Sequence, residues 1–248
     1  MNDLWPVTWL ETIDSTNEEA KRRAVAGQFG PIWIAAKEQT AGRGRRGRGW
    51  VSSTGNLYAT ALFEWTGQAR DLTRVPFAAA LAVSDAVKTL APGSAPKLKW
   101  PNDVRIDGAK LSGILVEAGE LDGRRWVAAG IGINVASAPE NIGQETTCVA
   151  VLRGDTLVSA DMALDALNTA FSTRLAQAVA DFQPTRKAWL ERADGLGHEV
   201  NIHLGDTVTR GIFEDMAEDG ALILRLPDGE QRLIRAGDVE LIREVSTD

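Results

Sequence analysis

The chain has a single cysteine, Cys148, in 248 residues. No intramolecular disulfide can form, so a disulfide-stapled scaffold is excluded, and the count fits a reducing cytoplasm. Histidine is nearly as scarce: His198 and His203 both lie near the C-terminus. A Ser-His-Asp mechanism centred on residues 12–135 is therefore ruled out, since no imidazole base is at hand there. No cluster of His, Cys and carboxylate has metal-ligand spacing, so any metal ligands stay unassigned. No apolar run is long enough to cross a membrane. The opening Met1-Asn-Asp-Leu-Trp-Pro6 lacks a basic segment followed by an apolar one and does not read as a signal peptide. There is no internal repeat and no Gly-x-x-x-x-Gly-Lys-Ser/Thr phosphate loop. Positive charge is in deficit as well: 27 Lys and Arg against 34 Asp and Glu give a net charge of −7. Proteins that wrap nucleic acid are usually basic overall or on one face, so no nucleic-acid partner is expected.

Against that acidic background stands Gly42-Arg-Gly-Arg-Arg-Gly-Arg-Gly-Trp50, in which four arginines alternate with four glycines. The glycines let the backbone approach a ligand closely. The arginines offer planar forks suited to phosphate and carboxylate. So much glycine forbids a stable helix. The stretch is expected to be a mobile loop that orders around a small anion. It contains Gly42-x-Gly44-x-x-Gly47, but Trp50-Val-Ser-Ser-Thr-Gly55 opens no helix, so the dinucleotide-fold reading fails.

Along the chain, Pro6–Glu11 reads as a strand, and a helix runs from Ser15 to about Gly27. Ser15 with Glu18, or Thr16 with Glu19, can form a capping box. Strands are expected at Ile32–Ala36 and Asn56–Glu64, and a helix over Leu72–Leu90 in which Pro76 is tolerable only in the first turn. Lys97–Trp100 and Val104–Ile106 follow, then two long neighbouring strands, Lys110–Glu117 and Arg125–Val135. Asp107-Gly108 and Asp122-Gly123 are turn signals. Residues 138–158 give no clear pattern. Ser159 caps a long helix, and a shorter one spans Pro184–Arg192. Asp194–Gly197 reads as a linker into about fifty residues of short strands. The fold class is α+β: a mixed, mostly antiparallel sheet flanked by helices, plus a small C-terminal SH3-like β-barrel. The expected units are 1–193 and 197–248.

Three further segments combine unusual chemistry. Lys99-Trp-Pro-Asn-Asp103 sets a cation, an aromatic and two polar side chains beside a proline. Lys110-Leu-Ser-Gly113 opens a strand with a lysine and soon a glycine. Gly130-Ile-Gly-Ile-Asn134 ends one with space-clearing glycines and an amide. Each alone also has a plain structural explanation, as a capped turn, a strand-edge lysine and a tightly packed β segment. In this order, with the Arg/Gly loop, they resemble the biotin–protein ligase family, from about Ser15 to Val135.

The resemblance implies a class II synthetase-like catalytic domain. It implies that biotin and ATP, with Mg2+, form biotinyl-5′-AMP, and that biotin then passes to one lysine of a biotin carboxyl carrier protein domain. It makes Lys110 the central catalytic lysine, with Arg45 on the adenylate phosphate. Asp103 and Asn102 become a polar pair on the phosphate and acceptor side. Ser15, Thr16, Gln39, Gly42 and Arg43 are implied contacts to biotin, and Gly113 a close backbone approach to the ligand. Trp50 is implied to cover the intermediate. Arg43, Arg46 and Arg48 are implied on the nucleotide phosphates, and Asn134 on the adenine side. Arg235 is implied, more loosely, as a nucleotide contact from the C-terminal unit. The chain starts almost at the first strand, so the enzyme-only form without a winged helix is expected. The resemblance leaves monomer and homodimer open. Two rivals are a lipoate or octanoate ligase of the same fold and an RNA-binding protein using the Arg/Gly loop.

Overall fold

A computed structural model describes residues 4–140, 143–155 and 157–242. Positions 1–3 and 243–248, the outer ends of the two expected units, lie outside the described residues. The first sheet is built from β1 (Val7–Ile13), β2 (Ile32–Gln39), β3 (Leu57–Trp65), β4 (Lys97–Lys99), β5 (Asp103–Ile106), β6 (Ala109–Leu121) and β7 (Arg124–Ile133). Its seven strands run in the order β1-β2-β3-β7-β6-β5-β4. Only the β1–β2 pair is parallel, so the sheet is mixed and mostly antiparallel as expected. The Asp-Gly turns close the β5–β6 and β6–β7 hairpins, with positive φ at Asp107 and Gly108 and at Asp122 and Gly123.

Side-chain alternation along β2 and β3 decides what each face carries. Trp33, Ala35, Leu57, Ala59 and Ala61 point into the main core with α2 (Val75–Leu90) and α4 (Ala160–Ala180). Ile34 and Leu62 point the other way and pack with Ala20 and Ala24 of α1 (Thr16–Val25). Each such burial contributes about 1.5–3 kcal/mol for a large apolar side chain. On the main face Trp5, Trp33, Phe63 and Phe171 meet at tilted or edge-on angles, with Trp33 and Phe171 5.2 Å apart. Asn168 satisfies the polar atoms there: its Oδ1 accepts from the Trp33 indole at 3.0 Å, and its Nδ2 donates to the Trp5 carbonyl at 2.9 Å.

Several boundaries differ from the sequence reading. Ser15 is the N-cap of α1, yet its side chain makes no capping bond. The helix over 72–90 starts only at Val75, after a 3-10 turn over Ala69–Arg74. A start at Leu72 would set the ring of Pro76 against the carbonyl of residue 72, so the proline fixes the first turn. A short helix absent from the sequence reading, α3 (Val149–Arg153), lies within 138–158. Ser159 does cap α4, accepting from the Met162 amide at 3.3 Å. The last helix, α5 (Phe182–Leu190), begins two residues before Pro184, capped by Asp181.

The C-terminal unit is a five-stranded antiparallel sheet of β8 (Glu199–Leu204), β9 (Thr207–Met216), β10 (Leu222–Arg225), β11 (Gln231–Ile234) and β12 (Asp238–Leu241), ordered β11-β10-β9-β8-β12. Phe213, Met216, Leu222 and Leu224 share one core with Phe77 and Trp189. Trp100 is buried in that seam, its indole donating to the Gly220 carbonyl at 3.0 Å. The C-terminal sheet is thereby fixed beside the Lys99–Asp103 turn.

Candidate functional site

The cavity lies on the α1 face of the first sheet and measures about 350 Å³. Its inner end is polar. The start of α1 presents Ser15, Thr16 and Asn17, all buried. Thr60 of β3 donates to Asn17 Oδ1 at 2.7 Å and lies 2.8 Å from Thr16 Oγ1. Gln39, the last residue of β2, accepts from the Thr16 amide at 2.9 Å and the Thr16 hydroxyl at 3.2 Å. Thr16 thus spends its hydroxyl in the cavity wall rather than on a helix cap. Asn17 and Thr60 are functional candidates that the sequence reading missed. Thr60 was recoverable, since it occupies a β3 position facing α1.

The middle of the cavity carries the charge. Lys110 is the second residue of β6, and its Nζ lies 2.9 Å from Asp103 Oδ1; both side chains are only 14% exposed. The register pairs Asp103 with Gly113, next to Lys110 on the same hairpin. The Lys110 ammonium also stands 5.5 Å from the centre of the Trp50 ring, within cation–π range. Arg45 Nη1 donates to Asn102 Oδ1 at 3.0 Å, while Asn102 Nδ2 donates to the Ile114 carbonyl at 2.8 Å. The turn at 101–103 therefore fixes both cations, one through each of its polar side chains. Burial pulls the Arg45 guanidinium below its usual pKa, with Asp238 opposing. Burial likewise lowers the neighbouring Lys99, helped by the positive charge of Arg105.

The Arg/Gly loop is folded as a hairpin. Arg43 bridges Gly49, the Trp50 amide donates to the Gly42 carbonyl at 2.9 Å, and Arg45–Gly47 makes a single 3-10 turn. Arg43, Arg45 and Arg48 line the cavity. Arg43 is held by Glu18 of α1 and, at 3.2 Å, by Glu117 of β6. Trp50 lies flat on the sheet: a Cβ on Gly132 would come within 2.5 Å of its ring, and one on Gly113 within 2.7 Å. Gly113 therefore makes room for Trp50 here, where the resemblance implied a close approach of the ligand. The Trp50 indole N–H is buried against the sheet at Gly132, with no acceptor among the described residues.

Asn134 lines the far end, where its Nδ2 donates to the Thr147 carbonyl at 3.1 Å. That bond, with Lys110 N–H to the Glu145 carbonyl at 2.8 Å, lays the 144–147 segment beside β6. Gln144 and Thr146 join the wall from that segment, and Pro139 from just after β7; no local pattern announced them. Three expected residues stand outside the lining. Gly42 sits behind it, packed against the Trp50 carbonyl. Arg46 turns to Asp238 at 3.3 Å. Arg235 pairs with Asp219 at 3.0 Å on an exposed edge of the C-terminal sheet.

A wall of hydroxyls and amides, then clustered cations beside an aromatic ring, suits a small polar ring joined to an anionic group. The comparisons with known proteins agree. Residues 9–135 match the biotin/lipoate A/B protein ligase family, and residues 195–242 match the biotin protein ligase C-terminal domain. A biotin–[acetyl-CoA-carboxylase] ligase of Paracoccus denitrificans is 43% identical, covering 93% of this chain and 98% of its own. One of Mycobacterium tuberculosis is 31% identical over 92% and 86% of the two chains. The structure also resembles that of a biotin protein ligase from Aquifex aeolicus in complex with biotin and ATP, with a TM-score of 0.80 at 29% identity, covering 96% of this chain and 99% of that one. The chain belongs to the biotin–protein ligase family.

Proposed function

We propose that the protein is an ATP-dependent biotin ligase that forms biotinyl-5′-AMP and then biotinylates one lysine of a carboxyl carrier protein domain. The observation that carries this is the meeting of Lys110, Asp103 and Arg45 in one cavity whose inner end is the Thr16–Gln39–Thr60 network. In the first step a carboxylate oxygen of biotin bonds to the α-phosphorus of ATP. The bond from that phosphorus to the bridging oxygen breaks, and pyrophosphate leaves with the electron pair. In the second, the carrier amine bonds to the carbonyl carbon, AMP departs and the nitrogen loses its proton.

The chain's contribution is positioning and charge neutralisation. Ser15, Thr16 and Gln39 supply donors and acceptors for the ureido ring of biotin. Lys110 stands between the carboxylate and the α-phosphate, Arg45 on the phosphate, and Asp103 holds Lys110 until substrates arrive. Asn102 orients Arg45, Trp50 shields the intermediate from water, and Asn134 borders the adenine. Arg43 and Arg48 complete the positive wall, and Arg46 and Gly42 support the loop that carries it. Arg235 has its own partner in Asp219 and can add charge only after leaving it.

Magnesium fits as a passenger on the triphosphate. Among the described residues no group of three His, Cys, Asp or Glu could hold a metal, and Asp103 is the one carboxylate in the wall. Magnesium commonly takes one or two carboxylates and draws its other ligands from phosphate and water; bound, it would neutralise phosphate charge. We further read 1–193 as the catalytic unit and 197–248 as the C-terminal unit, working in the cytoplasm, where ATP is supplied.

The test is mass spectrometry of a biotin carboxyl carrier domain incubated with the protein, biotin and ATP. One biotin on one lysine, dependent on ATP, is the expected result. An unmodified carrier in the presence of all three would overturn the assignment.

A further inference from the structure

Asp238 opens β12 on the C-terminal sheet, yet it faces the loop of the first sheet. Three guanidinium groups converge on its carboxylate: Arg46 at 3.3 Å, Arg48 at 3.4 Å and Arg45 at 3.9 Å. Two of these, Arg45 and Arg48, line the cavity. A carboxylate and a phosphate offer the same anionic oxygens to an arginine fork. The loop was expected to need an external anion to order it, and here an internal one stands in that role. Without it, clustered guanidiniums would repel one another, and nothing would offset the chain entropy that a glycine-rich segment gives up on ordering.

We infer that Asp238 is a positioning residue, an internal stand-in for the nucleotide phosphates that pins the arginine loop over the cavity until ATP takes its place. The exchange rests on the proposed use of ATP; the pin itself does not. When ATP arrives, Arg45 and Arg48 trade one anion for another. The C-terminal sheet therefore tunes nucleotide affinity without touching the reacting atoms. Each exposed or half-exposed ion pair is worth little singly, and three on one carboxylate add up to a measurable competition. Removing that competitor should tighten ATP.

The experiment uses the full chain with Asp238→Asn, and Asp238→Glu as the charge-retaining control. The arginines are themselves trypsin sites, so cleavage within 43–48 reports whether the loop is pinned. Without ligand, Asp238→Asn should be cut several-fold faster than wild type and Asp238→Glu at the wild-type rate. In the biotinylation assay Asp238→Asn should lower the KM for ATP by about three- to tenfold at unchanged kcat. Wild-type cleavage should also speed up between 50 and 500 mM sodium chloride, which screens the pairs. This arm still decides if the Asn variant does not fold. Ligand-free cleavage that is equally slow in Asp238→Asn, or indifferent to salt in wild type, removes the pin. Faster cleavage with an unchanged or raised KM for ATP keeps the pin and overturns the phosphate mimicry. Absence of any ATP-dependent activity in wild type would instead count against the ligase reading, and leaves the cleavage result standing.

Discussion

In the proposed reaction Lys110 starts tied to a group it must leave. Its ion pair with Asp103 at 2.9 Å neutralises a mostly buried ammonium, which would otherwise bear a desolvation cost of several kcal/mol. On the proposed mechanism, only the partners of this preplaced lysine change when a carboxylate and a phosphate arrive. Lys110→Ala should therefore slow formation of biotinyl-5′-AMP by about 10²–10³-fold, the usual loss when one preorganised charge is removed. Single-turnover adenylation checks this, with thermal unfolding as the control for the fold. Near wild-type adenylation would make Lys110 a strand-edge lysine and nothing more. At this scale Lys110, Asp103, Asn102 and Arg45 were legible through the order of their segments along the chain, since each segment alone also has a plain structural explanation. Asn17 was not, since its role depends on which face of β3 meets α1, whereas Thr60 lies at a β3 position that strand alternation turns toward that helix. The direction of Arg46 was hidden too, because its partner lies 192 residues away.

Among the elements, the helices that buttress the sheet are joined by one carboxylate. Asp85 of α2 accepts from Arg174 of α4 at 2.7 Å and from Arg192, just past α5, at 2.8 Å. Burial pushes the Asp85 carboxyl up, but the two guanidiniums outweigh it, and its pKa ends below the ordinary 3.8. The sign follows: the folded form holds its proton less tightly than the unfolded one. The stabilisation is complete above about pH 4 and is lost as pH falls through the lowered folded value. Asp85→Asn should cost about 1–3 kcal/mol at pH 7. Because it removes the titrating group, its urea midpoint should fall less between pH 5 and pH 3 than that of wild type. Parallel declines would mean that Asp85 does not carry this acid sensitivity. Element boundaries were legible where local chemistry decides them, as at Ser159 and the two Asp-Gly turns. They were not at 145–147, where the chain is held by bonds to Lys110 and Asn134 rather than by any period of its own.

Over the whole molecule, a net charge of −7 surrounds a cavity whose wall carries Arg43, Arg45, Arg48 and Lys110 against a single carboxylate. Glu18, Glu117 and Asp238 stand behind these arginines as their resting partners, so the cations are held in place at the cavity until another anion competes for them. The two sheets share a core through Phe77, Trp189 and Phe213, so the C-terminal unit is a fixed wall beside the loop. The division into a mixed sheet and a small all-β unit was legible from hairpin signals and strand alternation. Their seam was not, because Trp100 meeting Gly220 is a long-range pairing that no local pattern encodes. The central claim is that this cavity joins biotin to AMP. The most direct measurement is exchange of labelled pyrophosphate into ATP, with biotin, lipoate and octanoate compared side by side. Exchange that depends on biotin and stays at background with the two fatty-acid-like substrates is the predicted result; exchange with lipoate equal to that with biotin, or none with biotin, would contradict it.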